Sequence, residues 1–173
     1  MRNLLVVVDM QNDFIDGSLG TKEAVAIVDN VVAEIAKYDT KDIFATRDTH
    51  PENYLETQEG KNLPVVHCVK GTDGWQINEK VKTALKDAVV IDKPTFGSKI
   101  LAEEITKIAE KEDITVTLVG LCTDICVVSN ALLIKAYLPE IPVKVIASCC
   151  AGVTPESHEA ALATMRMCQV QVE

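Results

Sequence analysis

The chain has 173 residues, 47% hydrophobic and 25% charged, with a formal net charge of −9. This size and composition fit one folded domain and exclude both a disordered chain and two independent cores. The acidic balance, with a pI of about 4.8, excludes an extended surface for nucleic acid or anionic membrane, so neither is expected as a partner.

The apolar run that opens the chain stops at Asp9, too early for the hydrophobic region of a signal peptide, and no later run is long enough to span a bilayer. A cytoplasmic location is therefore expected. Strand-like runs follow at Leu4–Val8, Ile43–Thr46, Val65–Cys68, Val89–Asp92, Thr115–Val119, Val143–Ala147 and Gln169–Val172. Between them, Ala24, Ile27, Val28, Val31, Val32 and Ile35 form one helical stripe, and Ile100, Leu101, Ile105 and Ile108 form another. Ala131–Ala136 continues a helix opening near Asp124, and Thr154 caps a last helix that starts at Pro155. The polar segments Asp48–Pro64 and Gly71–Asn78 read as loops at one edge of the sheet.

Strands alternating with helices predict an α/β fold over residues 1–173. The expected architecture is a single Rossmann-like three-layer α/β/α domain with a mostly parallel, six-stranded sheet. Cysteines stand at 68, 122, 126, 149, 150 and 168. A core of this size needs no staples, so free thiols are expected, with Cys149 and Cys150 serving in packing.

In a parallel sheet, ligands bind where loops leave the carboxyl ends of the strands. Asp9 follows the first strand, Lys93 ends another, and Cys126 sits one short turn beyond Thr115–Val119. The three converge on one edge. Cys126 opens a helix, where the positive end of the dipole lowers a thiol pKa, so a thiolate is expected. Flanked by an ammonium and a carboxylate, it can attack an electrophilic carbon while the carboxylate carries the proton.

With these residues assembled, the sequence resembles the isochorismatase-like cysteine hydrolase superfamily, and its nicotinamidase-related branch in particular. The resemblance is carried by Val8-Asp-Met-Gln-Asn-Asp-Phe14, Asp92-Lys-Pro-Thr-Phe-Gly-Ser98 and Gly120-Leu-Cys-Thr-Asp-Ile-Cys-Val127. It implies that Asp9 is the general acid/base, Lys93 the triad lysine and Cys126 the nucleophile. It also implies a cis Leu121–Cys122 peptide and an oxyanion hole built from the backbone amides of Cys122 and Cys126.

Asp48, His50 and His67 form an Asp/His set suited to Zn²⁺, with Mn²⁺ and Fe²⁺ as alternatives. The resemblance implies the same three as ligands of a divalent metal that holds the substrate's pyridine nitrogen. Many relatives carry a further histidine where this chain has Tyr54, and some supply a glutamate, for which Glu59 is the counterpart here. Phe14 is then expected as an apolar wall for the ring, with Trp75 in a closing loop or in the core.

The activity implied is hydrolysis of nicotinamide, a small-molecule amide, to nicotinic acid and ammonia in a homo-oligomer. Alternatives are hydrolysis of an N-carbamoyl or ureido compound, isochorismate cleavage, and a noncatalytic domain. His158 is expected at the surface or in an interface.

Overall fold

A computed structural model describes residues 1–173. Six parallel strands, β1 (Arg2–Val8), β2 (Ile43–Asp48), β3 (Val89–Lys93), β4 (Ile114–Leu121), β5 (Val143–Ala151) and β6 (Gln171–Val172), are ordered β3-β2-β1-β4-β5-β6. Both faces are covered, which explains why Leu4–Val8 of β1 is continuously apolar. Leu5 and Val7 pack on one side with α1 (Asn12–Ile15), α2 (Lys22–Ile35) and α4 (Glu79–Leu85). Leu4, Val6 and Val8 pack on the other with α5 (Lys99–Ala109), α6 (Val128–Tyr137) and α7 (Pro155–Met167). No helix is long and apolar enough to cross a membrane.

The helix stripes largely find the sheet. Thr21 caps α2 by accepting from Ala24 N, and Ala24, Ile27, Val28, Val31 and Ile35 are buried beneath it. In α5, Leu101 and Ile105 are buried but Ile100 faces solvent, because the stripe is narrower than the sequence implies. Thr154 and Ser157 form a reciprocal capping box at the start of α7, with Pro155 in its first turn. Cys149 packs in one core and Cys150 in the other, as alternating strand residues must, and all six cysteines are free.

Three expectations need correction. Val65–Cys68 is not a strand, because β2 and β3 pair directly, with Asp48 opposite Lys93, and leave no slot between them. The segment instead crosses the carboxyl edge, held by His50 N donating to Cys68 O and Cys68 N donating to Asp13 Oδ2, and Cys68 turns it at φ +47°. The last strand is two residues long, since Gln169 turns at φ +68°. The helix expected from Asp124 begins as a π turn, Thr123–Val127, that hands over to α6 at Val128.

The chain leaves β1 in both directions, so the crevice between β1 and β4 is the topological switch point where such sheets bind ligands. Gly120 makes the close approach there possible. Its φ is +118°, and a Cβ would stand 2.1 Å from Val8 O, so no larger residue fits beside the end of β1.

Candidate active site

Asp9 is the first residue after β1, completely buried and held in the left-handed region at φ +46°. Aspartate tolerates this conformation better than most non-glycine residues. Its amide donates to Thr46 O at 3.2 Å, and its Oδ1 accepts from the Thr46 hydroxyl at 2.6 Å. Lys93, the last residue of β3, places Nζ 2.7 Å from Asp9 Oδ2, 3.4 Å from Cys126 Sγ and 3.5 Å from Asp48 Oδ1. The Nζ also donates to Thr95 O at 3.1 Å. Cys126 lies in the π turn, its carbonyl held by Asn130 Nδ2 at 2.8 Å. The three residues expected at one edge are therefore brought into a single cluster.

Its electrostatics differ from the helix-end expectation. Burial pushes the Cys126 thiol well above its ordinary pKa, and the Asp9 charge adds to this against the opposing pull of Lys93. Cys126 is thus a thiol at rest rather than a thiolate. Burial also raises the Asp9 carboxyl, outweighing the opposite pull of Lys93 and Thr46. Burial opposes the Lys93 charge, but Asp9, Cys126 and Asp48 overcome it, so the ammonium is held above its usual pKa.

A second cluster adjoins the first through Asp48. His50 Nε2 lies 2.9 Å from Asp48 Oδ2 and 3.6 Å from Glu59 Oε1, and His67 Nε2 lies 3.7 Å from each of those oxygens. All four donors fall within 4.8 Å of one another. Zinc bonds of about 2.0–2.2 Å put tetrahedral donors roughly 3.3–3.6 Å apart, so two imidazoles and two carboxylates fit a divalent cation. His67 Nδ1 donates to Val65 O at 2.8 Å, which turns Nε2 toward the cluster. Tyr54 supplies no donor. Its hydroxyl points away to Leu63 O at 2.9 Å, and its ring packs edge-on against both histidines. Glu59 reaches in from α3 (Gln58–Asn62) instead.

Both clusters border one cavity of about 450 Å³, within the usual range for small-molecule sites. Phe14, Cys122, Ile125, Pro94, Phe96 and Leu63 line it alongside Cys126, Asp48, Glu59 and His67. Phe14 lines this cavity with its ring 5.5 Å from that of His67. Trp75 is not part of the lining. It packs in the core beneath the Arg47 guanidinium, 3.7 Å away, and its Nε1 donates to Thr49 Oγ1. The Leu121–Cys122 peptide is cis. His158 is half-buried behind this turn, hydrogen-bonded through Nδ1 to Thr123 Oγ1 at 2.7 Å.

Sequence reasoning overlooked the residues that hold the site. Gln11 Nε2 donates to Asp48 O and Trp75 O while its Oε1 accepts from Asp48 N, clamping the backbone at the end of β2. A polar side chain three residues beyond a strand buried on both faces was the available signal. Thr46, Asn130 and Phe96 gave none, because their roles depend on neighbours remote in sequence.

A parallel sheet with a buried cysteine, lysine and aspartate at its switch point, beside a metal-ready donor set, defines a cysteine-dependent hydrolase. The chain belongs to the isochorismatase family, whose isochorismatase domain matches residues 3–173, and within it to the nicotinamidase-related branch. The nicotinamidase/pyrazinamidase of Mycobacterium tuberculosis is 27% identical over 183 residues, 97% of this chain and 96% of that protein. The pyrazinamidase of Pyrococcus horikoshii, solved in complex with zinc, shares 29% identity with a TM-score of 0.84 over 100% of this chain and 99% of its own. The pyrazinamidase/nicotinamidase of Streptococcus mutans shares 28% identity with a TM-score of 0.81, covering 99% of each chain.

Proposed function

We propose that the protein hydrolyses nicotinamide to nicotinic acid and ammonia through a thioester on Cys126. The observation that carries this reading is the position of Lys93 Nζ, in contact with Asp9 Oδ2 and with the Sγ of Cys126, which lines the same cavity as Asp48, Glu59 and His67 of the four-donor set. Relatives named for nicotinamidase activity support the choice of amide.

Because Cys126 rests as a thiol, the reaction begins with proton transfer to Asp9, while Lys93 stays charged and holds the two groups together. Sulfur attacks the carboxamide carbon. The backbone amides of Cys122 and Cys126 are assigned to the developing oxyanion. Asp9 returns its proton to the departing nitrogen, ammonia leaves, and the acyl group remains on sulfur. Water then enters, Asp9 removes its proton, and the tetrahedral adduct collapses to nicotinic acid and the free thiol.

Asp48, His50, His67 and Glu59 would hold the divalent metal, assigned as zinc by analogy with the Pyrococcus complex. When bound, it supplies an electrophilic anchor for the pyridine nitrogen and so orients the carboxamide. Phe14 forms the apolar wall beside the ring.

The alternative of an N-carbamoyl or ureido acid needs a cationic group to hold the substrate carboxylate. The cavity lining contains Asp48 and Glu59 but no lysine or arginine, which favours a neutral amide. The test is ammonia release from nicotinamide beside ureido acids, with Cys126→Ala as control. Preferred turnover of a ureido acid, or undiminished turnover by the variant, would overturn the proposal.

A further inference from the structure

Thr46, inside β2, is completely buried, and both hydrogen bonds of its hydroxyl go to one residue. Asp9 N lies 3.3 Å from Thr46 Oγ1 and can only donate, so Oγ1 accepts there. The hydroxyl proton is left for Asp9 Oδ1, 2.6 Å away. This pair of bonds fixes the carboxylate plane and occupies Oδ1. Asp9 Oδ2 remains without an aligned hydrogen bond of its own, 2.7 Å from Lys93 Nζ, which is in turn 3.4 Å from Cys126 Sγ.

The geometry points to Thr46 as a positioning residue that selects Oδ2 as the oxygen carrying the proton between Cys126 and the leaving nitrogen. This rests on the reaction proposed above, in which the Sγ–H bond breaks as Oδ2–H forms, and Oδ2–H breaks as the leaving nitrogen is protonated. Thr46 neither gains nor loses a proton in either transfer. Without its hydroxyl, the carboxylate turns about Cβ–Cγ and shares both oxygens with Lys93, so the fraction of molecules with an oxygen aimed at sulfur falls. Misplacement of a reacting group by about 1 Å costs on the order of 10²-fold in rate.

The role is separable from ground-state binding because Thr46 does not line the cavity and supplies none of the four metal donors. Thr46→Val keeps the side-chain shape and removes the hydroxyl, whereas Thr46→Ser keeps the hydroxyl. The expected result is a kcat on the order of 10²-fold lower for the valine variant, with KM for nicotinamide and bound metal unchanged, and recovery of most of kcat in the serine variant. Should the valine variant not fold, Thr46→Ala and Thr46→Ser differ by the hydroxyl alone and carry the same comparison. Equal kcat with and without the hydroxyl overturns the inference, as does an effect confined to KM or traceable to lost metal. Cys126→Ala, assayed in parallel, separates the two levels. If it is inactive while Thr46→Val is fully active, only the positioning role fails; if it turns over normally, the proposed reaction itself fails.

Discussion

Asp9 Oδ2 and Lys93 Nζ stand 2.7 Å apart with neither side chain more than 1% exposed. Two charges this deep are tolerable only together, since removing one leaves the other buried and uncompensated. Lys93→Ala is therefore expected to lower folding stability by about 3–5 kcal/mol as well as abolish turnover. Urea unfolding of the purified variant checks this; a midpoint matching wild type would show that Asp9 escapes the penalty.

Burial raises the Asp9 carboxyl above its ordinary range, which sets the direction of the pH response. As pH falls, Asp9 takes up its proton at a higher pH than an exposed aspartate, whose pKa is about 3.9, and the base is lost. The acid limb of kcat/KM should accordingly lie above that value. Stability runs in the opposite direction. The folded chain holds this proton more tightly than the unfolded one, so Asp9's contribution is complete below the unfolded pKa and is lost as pH rises through the folded pKa. An acid limb in the exposed-aspartate range would contradict the burial argument.

Much of this arrangement was legible because it is local. The run Leu4–Val8, the α2 stripe and the Thr154-Pro155 cap declare themselves through periodicity and capping chemistry. Asp9, Lys93 and Cys126 could be placed together because parallel strands bring their carboxyl ends to one edge. What failed depended on tertiary neighbours. Val65–Cys68 has strand composition but no place in the sheet, and Trp75 is drawn into the core by Arg47 and Thr49. The thiolate expected from the helix end was overridden by desolvation, which sequence position does not report.

Glu59 places a carboxylate oxygen within 4.8 Å of the donor atoms of Asp48, His50 and His67, while Tyr54 turns its hydroxyl to Leu63. Glu59→Gln should weaken metal binding by at least about 10-fold, a loss typical even of residues that only support ligands. It should also reduce the rise in melting temperature on metal addition. Titration of the metal-stripped variant with Zn²⁺ measures both, and wild-type affinity would place Glu59 outside the coordination sphere.

The most direct test of the account is a single-turnover acid quench with nicotinamide, followed by mass spectrometry of the peptide containing Cys126. The account predicts a transient nicotinoyl thioester on Cys126, rising before nicotinic acid appears and absent from Cys126→Ala. Nicotinic acid formed while Cys126 stays unmodified at every quench time would contradict it.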